Sequence, residues 1–470
     1  MTDQNKYNYK LGNSAQKLFR ELPSPTIQRL ARRLNKLAIS HGLTYTNERG
    51  KTSVINLTLR PRLIHSKIEK ALWRIIYILD RAFQKIAPLY FQNPSLYELF
   101  PFSDRERNWL SCLQERDYIP GQMATRWDAN TTFATQDWEE GCSFFEVNGV
   151  GVGGMWYGPA AADVALKTII PELQKIDRQF HPVPCQNTRL LLLELILAQR
   201  RTLKRTKHAI ALVMERASGS NFVEFERLAK LYRDLGHPTV VVEPTDLYLK
   251  NDELCAGGKR IDIGYRDTTL SELCLLEEKG YDLTAFRKAF RRGQIISSLE
   301  GEFDHKSVFE VFTSPQYAYA FTQKERKLFK RYILWTRLIR ECRTTNSKGK
   351  LIDLIPFTLK HQANLVLKPN RLYGGQGIVF GREADRAAWR KKIEAALNQP
   401  GEWVIQQLGK LRKKSFFSPG QKKKINEKDF YVVSGFFATE KGLGIVGRMS
   451  ERTVVNVARH GGLTPILLMK

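Results

Sequence analysis

No apolar run in this sequence is long enough to cross a membrane. The strongest, residues 190–197 and 71–79, fall far short of the ~20 residues a spanning helix needs, and each carries a charge, Glu194 or Arg74. The start, MTDQNKYNYK, is polar and lacks the apolar centre of a secretion signal, so a cytoplasmic protein is expected. Cysteine is sparse and scattered. Cys112, Cys142, Cys185, Cys255, Cys274 and Cys342 include no CxxC pair, which removes the usual zinc and redox motifs. Acidic residues are in deficit, 48 against 75 Lys and Arg, for a net charge of +27. There is no internal repeat and no long low-complexity tract.

What remains is ordinary globular material. A chain of 470 residues, 42% hydrophobic and 26% charged, suffices for two or three domains with real cores. The basic excess favours an anionic partner (nucleotide, nucleic acid, acidic peptide or anionic lipid) without choosing among them.

Residues 1–100 read as mostly helical. Ile68, Leu72, Ile75, Ile76, Leu79 and Phe83 form one helical stripe, which Pro88 ends. Residues 189–207 read as an amphipathic, then basic, connecting helix. From about residue 208 the pattern alternates. A buried-strand run at 208–214, a helix at 221–235 closed by Gly236, and a strand at 239–242 make a βαβ unit with a parallel pair. A hairpin turning at Gly257-Gly258 follows. Residues 324–343 read as a basic amphipathic helix. Residues 363–470 read as strands with glycine-rich turns, one helix near 385–397, and a basic loop at 410–428.

Two segments carry chemistry. In LVLKPNRLYGGQGIVFG (365–381), Lys368 falls near the end of a strand, and Gly374, Gly375 and Gly377 let the backbone turn tightly against a ligand. Backbone N–H groups in such a loop bind phosphate oxygens, and the lysine adds a point charge. No GK[ST] follows the glycines, so this is not a Walker A loop. The other segment joins RWD at 126–128 to FFEVN at 144–148. Strand alternation puts Glu146 and Asn148 on one face, and Arg126 and Asp128 likewise. Two carboxylates and an amide form an oxygen-only set suited to Mg²⁺, with phosphates and waters completing the octahedron. Arg126 would face those phosphates.

Together these segments resemble the ATP-grasp superfamily, in the circularly permuted form found in glutathionylspermidine synthase and its bacterial relatives. The resemblance covers roughly residues 100–470. Ordinary members place the lysine and glycine loop before the ExN strand, whereas here ExN comes first. By resemblance, Asp128, Glu146 and Asn148 bind Mg²⁺, Arg126 contacts the reacting phosphate, and Lys368 with the glycine loop holds ATP. WVIQQL (403–408) resembles the adenine hinge strand, with Gln406 or Gln407 reaching the base edge. HKSVFEVF (305–312) resembles the segment of the first nucleotide lysine, Lys306. YILWTRLI (332–339) is similar to a further stretch of the permuted family. The tail GIVGRMSERTVVNVARHGG resembles the strand pair that closes the site, which would make Arg448 a further phosphate or substrate contact.

The expected fold is α/β (α+β), with four parts: a helical extension at 1–100, an ATP-grasp portion with the magnesium strand at 101–188, a βαβ pre-ATP-grasp-like domain at 189–300, to which IDIGYRDT (261–268) contributes, and an ATP-grasp portion with the lysines, loop and hinge at 301–470. The implied activity is a carboxylate–amine (or thiol) ligase that forms an acyl phosphate, ADP and phosphate. Its partners would be small-molecule or peptide carboxylates and amines, possibly acidic. The spacing of Asp128 from Glu146 departs from the synthase, and no Cys–His amidase pattern is present, so the synthase's own substrates do not carry over. Two alternatives stay open. One is an ATP-grasp phosphotransferase. The other is a non-catalytic protein on a degenerate fold that binds nucleic acid or a partner through the loop at 410–428, where cations flank Phe416 and Phe417.

Overall fold

The computed structural model describes residues 15–46, 52–131, 133, 138–215, 222–410, 413–419, 425–455 and 461–470. Three sheets carry the architecture. A seven-stranded sheet runs, in spatial order, Asn56–Leu57, Gly462–Leu463, Gly442–Ser450, Ile425–Thr439, Arg126–Asn130 and Ser143–Asn148, with Lys413–Pro419 also paired to Ile425–Thr439. A six-stranded sheet holds the βαβ unit. Ala209–Val213 lies parallel to both Thr239–Val242 and Lys259–Arg266, and Phe222–Asp234 is the crossover helix. A four-stranded antiparallel sheet has the order Thr336–Leu338, Trp403–Gln407, Leu365–Pro369, Val379–Phe380.

The pleat decides which residues face the core. Along Leu365–Pro369, Leu365 and Leu367 join Trp335, Trp389, Ile393 and Ile405 in a local core, while Val366 and Lys368 point to the opposite side. Along Arg126–Asn130, Trp127 and Ala129 enter the largest core, which leaves Arg126, Asp128 and Asn130 on the other face. The helix Ser66–Phe83 buries its whole predicted stripe there and packs on the seven-stranded sheet.

Several expectations need correction. The first hundred residues supply strands as well as helices. Asn56–Leu57 lies parallel to Gly462–Leu463, and Arg62–His65 parallel to Ile466–Met469, so this segment is woven into the sheets by the end of the chain. Pro88 does not end a helix. The break falls at residues 84–85, and Pro88 sits in the first turn of the next helix, Ile86–Gln92, where its missing N–H costs no intrahelical bond. The basic helix ends at Tyr332 rather than 343, because Thr336–Leu338 is recruited as an edge strand beside Trp403–Gln407. The Gly257-Gly258 turn is present, with both residues at positive φ, and a second turn at Asn251-Asp252 precedes it. No described helix is long and apolar enough to cross a membrane.

Candidate functional site

A cavity of about 390 Å³ opens between the seven-stranded and four-stranded sheets. Segments more than two hundred residues apart meet on its walls. Arg126, Glu146, Asn148, Lys306, Lys368, Gly374, Gly375, Gln406, Gln407 and Arg448 all line it. Gly377 stands outside, packed where a Cβ would meet Pro369 Cγ at 2.7 Å. Asp128 is fully buried behind the wall.

The carboxylate side is a cross-strand arrangement. Arg126 faces Asn148, and Asp128 faces Glu146. The register slips just beyond, so that Ala129 faces Phe144 and Phe145 is the extra residue of a bulge. The slip breaks strict alternation and lets both Phe145 and Glu146 reach the cavity. Asp128 anchors two guanidinium groups. Arg126 Nε donates to Oδ1 at 2.9 Å and Nη2 to Oδ2 at 3.1 Å, while Arg448 Nη2 lies 2.7 Å from Oδ1. Burial alone would raise the Asp128 pKa, but the two arginines outweigh it and hold the carboxyl below its usual range. Gly435 makes room for this pair, since a Cβ there would stand 2.7 Å from Arg126 Cδ and 2.9 Å from Asp128 Oδ1. Asn148 spends its Nδ2 on the Arg126 carbonyl and Asp128, which turns its oxygen outward.

The lysine side is built differently. Lys368 Nζ donates to Gln406 Oε1 at 2.6 Å and lies 4.9 Å from the Phe145 ring centroid. Burial lowers its pKa to about 8, against a partial offset from Glu146. Lys306 donates to the Leu372 carbonyl at 2.6 Å and pairs with Glu146 at 3.0 Å. Asn370, fully buried, ties the two lysine-bearing segments together. Its backbone C=O accepts from Lys306 N, and its Oδ1 accepts from Ser307 N. Gly374, Gly375 and Gly377 have φ of 66°, 74° and 67°, a region that favours glycine.

One end of the cavity is apolar, lined by Phe145, Leu334, Val366, Ile378, Phe380 and Leu408. Gln406 is 1% exposed and fully engaged by Lys368, the Phe145 carbonyl and Thr336, so it positions the lysine. Gln407 is exposed at the rim. Across from Arg126, the six-stranded domain contributes Asp267, Thr268, Thr269 and Glu272 from the end of IDIGYRDT and the helix after it. Glu224 is buried and accepts from Gly154 N and Trp156 N. Burial pushes it up to about 7.

The basic loop at 410–428 is a hairpin in its described part. Phe416 is fully buried with Phe430, Val432 and Met449, and Phe417 packs on Phe19 with ring centroids 4.8 Å apart. Phe416 is thus closed to a base and Phe417 is half-buried against Phe19, while the loop keeps its basic charge. Residues 411–412 and 420–424 lie outside the described residues.

Asn370, Tyr373, Asp304, Gly435 and the Phe145 bulge did not emerge from sequence reasoning. Asn370 and Tyr373 flank the lysine and the glycines directly, so their position was a usable signal. Asp304 stands two residues before Lys306, whereas nothing local marks Gly435.

No family model matches the chain. It is 25% identical over 239 residues to uncharacterized proteins of Mycobacterium bovis and Mycobacterium tuberculosis, an overlap of 47% of this chain and 40% of theirs. The chain thus spans less than half the length of these curated relatives. Among solved structures it is similar to a glutathione synthetase-like effector from Globodera pallida in its apo form. The TM-score is 0.64 at 12% identity, covering 96% of this chain and 98% of that one. The likeness is one of fold: the chain is built like a glutathione synthetase-like protein.

Proposed function

We propose that this chain is an ATP-dependent ligase with a circularly permuted ATP-grasp site, which activates a carboxylate as an acyl phosphate for attack by an amine or thiol. One observation carries the reading. Glu146, Asn148, Lys306, Lys368, Arg126 and Arg448 line a single cavity beside a glycine loop and an apolar slot.

The apolar slot suits a purine ring, with Gln407 and Leu408 on its wall. Lys368 and Lys306 hold phosphate oxygens from opposite sides. Gln406 presets Lys368, and Glu146 presets Lys306. The donor set fits a hard cation, because Glu146 and Asn148 present oxygens to the cavity and Asp128 stands directly across from Glu146. Asp128 would join them by exchanging an arginine contact for the ion. A magnesium ion held there would neutralise phosphate charge. Arg126 and Arg448, fixed in advance on Asp128, stabilise charge that develops as the phosphoryl group moves. The loop from Gly374 to Gly377 excludes water, which protects an acyl phosphate from hydrolysis. Little covalent work falls to the chain, and positioning dominates.

The test is hydroxylamine trapping. The protein is incubated with ATP, Mg²⁺, hydroxylamine and a panel of carboxylates, and ADP and hydroxamate are measured together. Equal amounts of both, with one carboxylate class, support the ligase. ATP consumption that phosphorylates a hydroxyl compound instead would replace ligase by phosphotransferase. Failure to bind Mg-ATP at all would overturn both.

A further inference from the structure

The segment carrying Lys306 touches the two working parts of the cavity twice each. Lys306 reaches the glycine loop through the Leu372 carbonyl and the ExN strand through Glu146. Asp304, two residues earlier, does the same with its two carboxylate oxygens. Oδ1 accepts from the Tyr373 hydroxyl at 3.2 Å, and Oδ2 accepts from Gly149 N at 2.8 Å. Tyr373 opens the glycine loop, and Gly149 is the first residue after Asn148. The backbones meet closely here as well. A Cβ on Gly149 would stand 2.3 Å from the Gly301 carbonyl oxygen, and a Cβ on Gly301 would stand 2.6 Å from that of Gly149. Only two glycines allow this approach, which brings Asp304 within reach of Gly149.

We infer that Asp304 is a positioning residue that latches the glycine loop, through Tyr373, to the turn leaving the ExN strand. The inference deepens the nucleotide-site reading and uses its assignments. Lys306 and Asp304 differ in what a ligand does to them. Lys306 lies on the cavity wall and, with three N–H donors, can turn to phosphate oxygens by loosening its bonds to Leu372 and Glu146. Asp304 is 4% exposed and lies outside the cavity lining, so its two bonds survive that exchange. The loop then keeps its register with the metal-bearing strand while the lysine changes partners. Burial raises the Asp304 carboxyl to about 7, so the Tyr373 contact is made by a group that accepts or shares a proton near neutrality.

The experiment is amide hydrogen exchange on the full chain, with and without Mg-ATP, for the native protein, Tyr373→Phe, Asp304→Asn and the double variant. Tyr373→Phe removes one hydroxyl from a half-exposed ring, so folding is retained. Loss of one hydrogen bond should raise exchange of the amides at 372–378 about fivefold in the free protein, with exchange at 143–147 unchanged. Asp304→Asn keeps an acceptor for Gly149 N and an amide for the tyrosine, and should retain most of the protection. The double variant should lose no more than Tyr373→Phe alone. Native-like loop exchange in Tyr373→Phe, or a double variant whose loop exchanges clearly faster than that of Tyr373→Phe, would overturn the latch. If the loop responds as expected but Mg-ATP never binds the native chain, the latch stands and the ligase reading fails.

Discussion

The two halves of the cavity handle charge in opposite ways. On the seven-stranded sheet, one buried carboxylate, Asp128, anchors two guanidinium groups, Arg126 and Arg448. On the four-stranded sheet, Lys368 is buried against neutral partners: an amide oxygen, a carbonyl and a ring face. The first half gives each cation a carboxylate partner on folding. The second holds a cation that folding leaves short of negative charge. A buried ion pair belongs to the fold once made, whereas a buried cation without a carboxylate partner of its own is an energetic reserve released by an anion.

Breaking the two halves should therefore have different consequences. Asp128→Ala leaves two mostly buried guanidinium groups unpaired, and should cost about 3 kcal/mol of stability, read by denaturant unfolding. Lys368→Met should leave stability nearly unchanged, yet weaken Mg-ATP binding at least about tenfold by calorimetry, the order expected for one charge-assisted contact. If both substitutions lower stability equally, the contrast fails.

The contrast sharpens with pH. Lys368 is lowered to about 8, so above that pH it is mostly neutral in the free protein, and bound phosphate should restore its proton. Nucleotide binding at about pH 8.5 should take up about one proton, seen as a dependence of binding heat on buffer ionisation enthalpy, with little uptake near pH 6.5. Affinity should fall as pH rises through about 8.

Gly435→Ala probes the preassembled half more gently. Its Cβ would press on Arg126 and Asp128, and should cost about 1–2 kcal/mol with some loss of nucleotide affinity. A further effect lies away from the cavity. Asp80 accepts from Thr125 and Trp127, and burial pushes it up to about 7. Its folded pKa is thus above its unfolded one, so stability is lost as pH rises from about 4 to 7. Asp80→Asn removes that loss and should raise the melting temperature modestly at about pH 8, but not near pH 4.

Much of the site was legible because alternation in a strand is local. Arg126 with Asp128, Glu146 with Asn148, and Lys368 before three glycines each share a face for reasons written within a few residues. The βαβ order was legible for the same reason. What escaped depends on distant partners. Phe145 faces the cavity only because the register slips against Arg126–Asn130. Gly435 matters only because two side chains cross it. The strands Asn56–Leu57 and Arg62–His65 could not be foreseen from the first hundred residues, since their partners lie at the other end of the chain. Phe416 and Phe417, flanked by lysines in sequence, look available for stacking until Phe416 is buried beside Phe430 and Phe417 leans on Phe19.

The central claim is that one cavity binds ATP together with a metal held by Glu146. Calorimetry of ATP binding, with and without Mg²⁺, on the native chain and on Glu146→Gln tests it most directly. The account predicts that Mg²⁺ tightens binding in the native chain and that Glu146→Gln abolishes this increment while leaving metal-free binding in place. Equal Mg²⁺ enhancement in both proteins, or no binding in either, would contradict it.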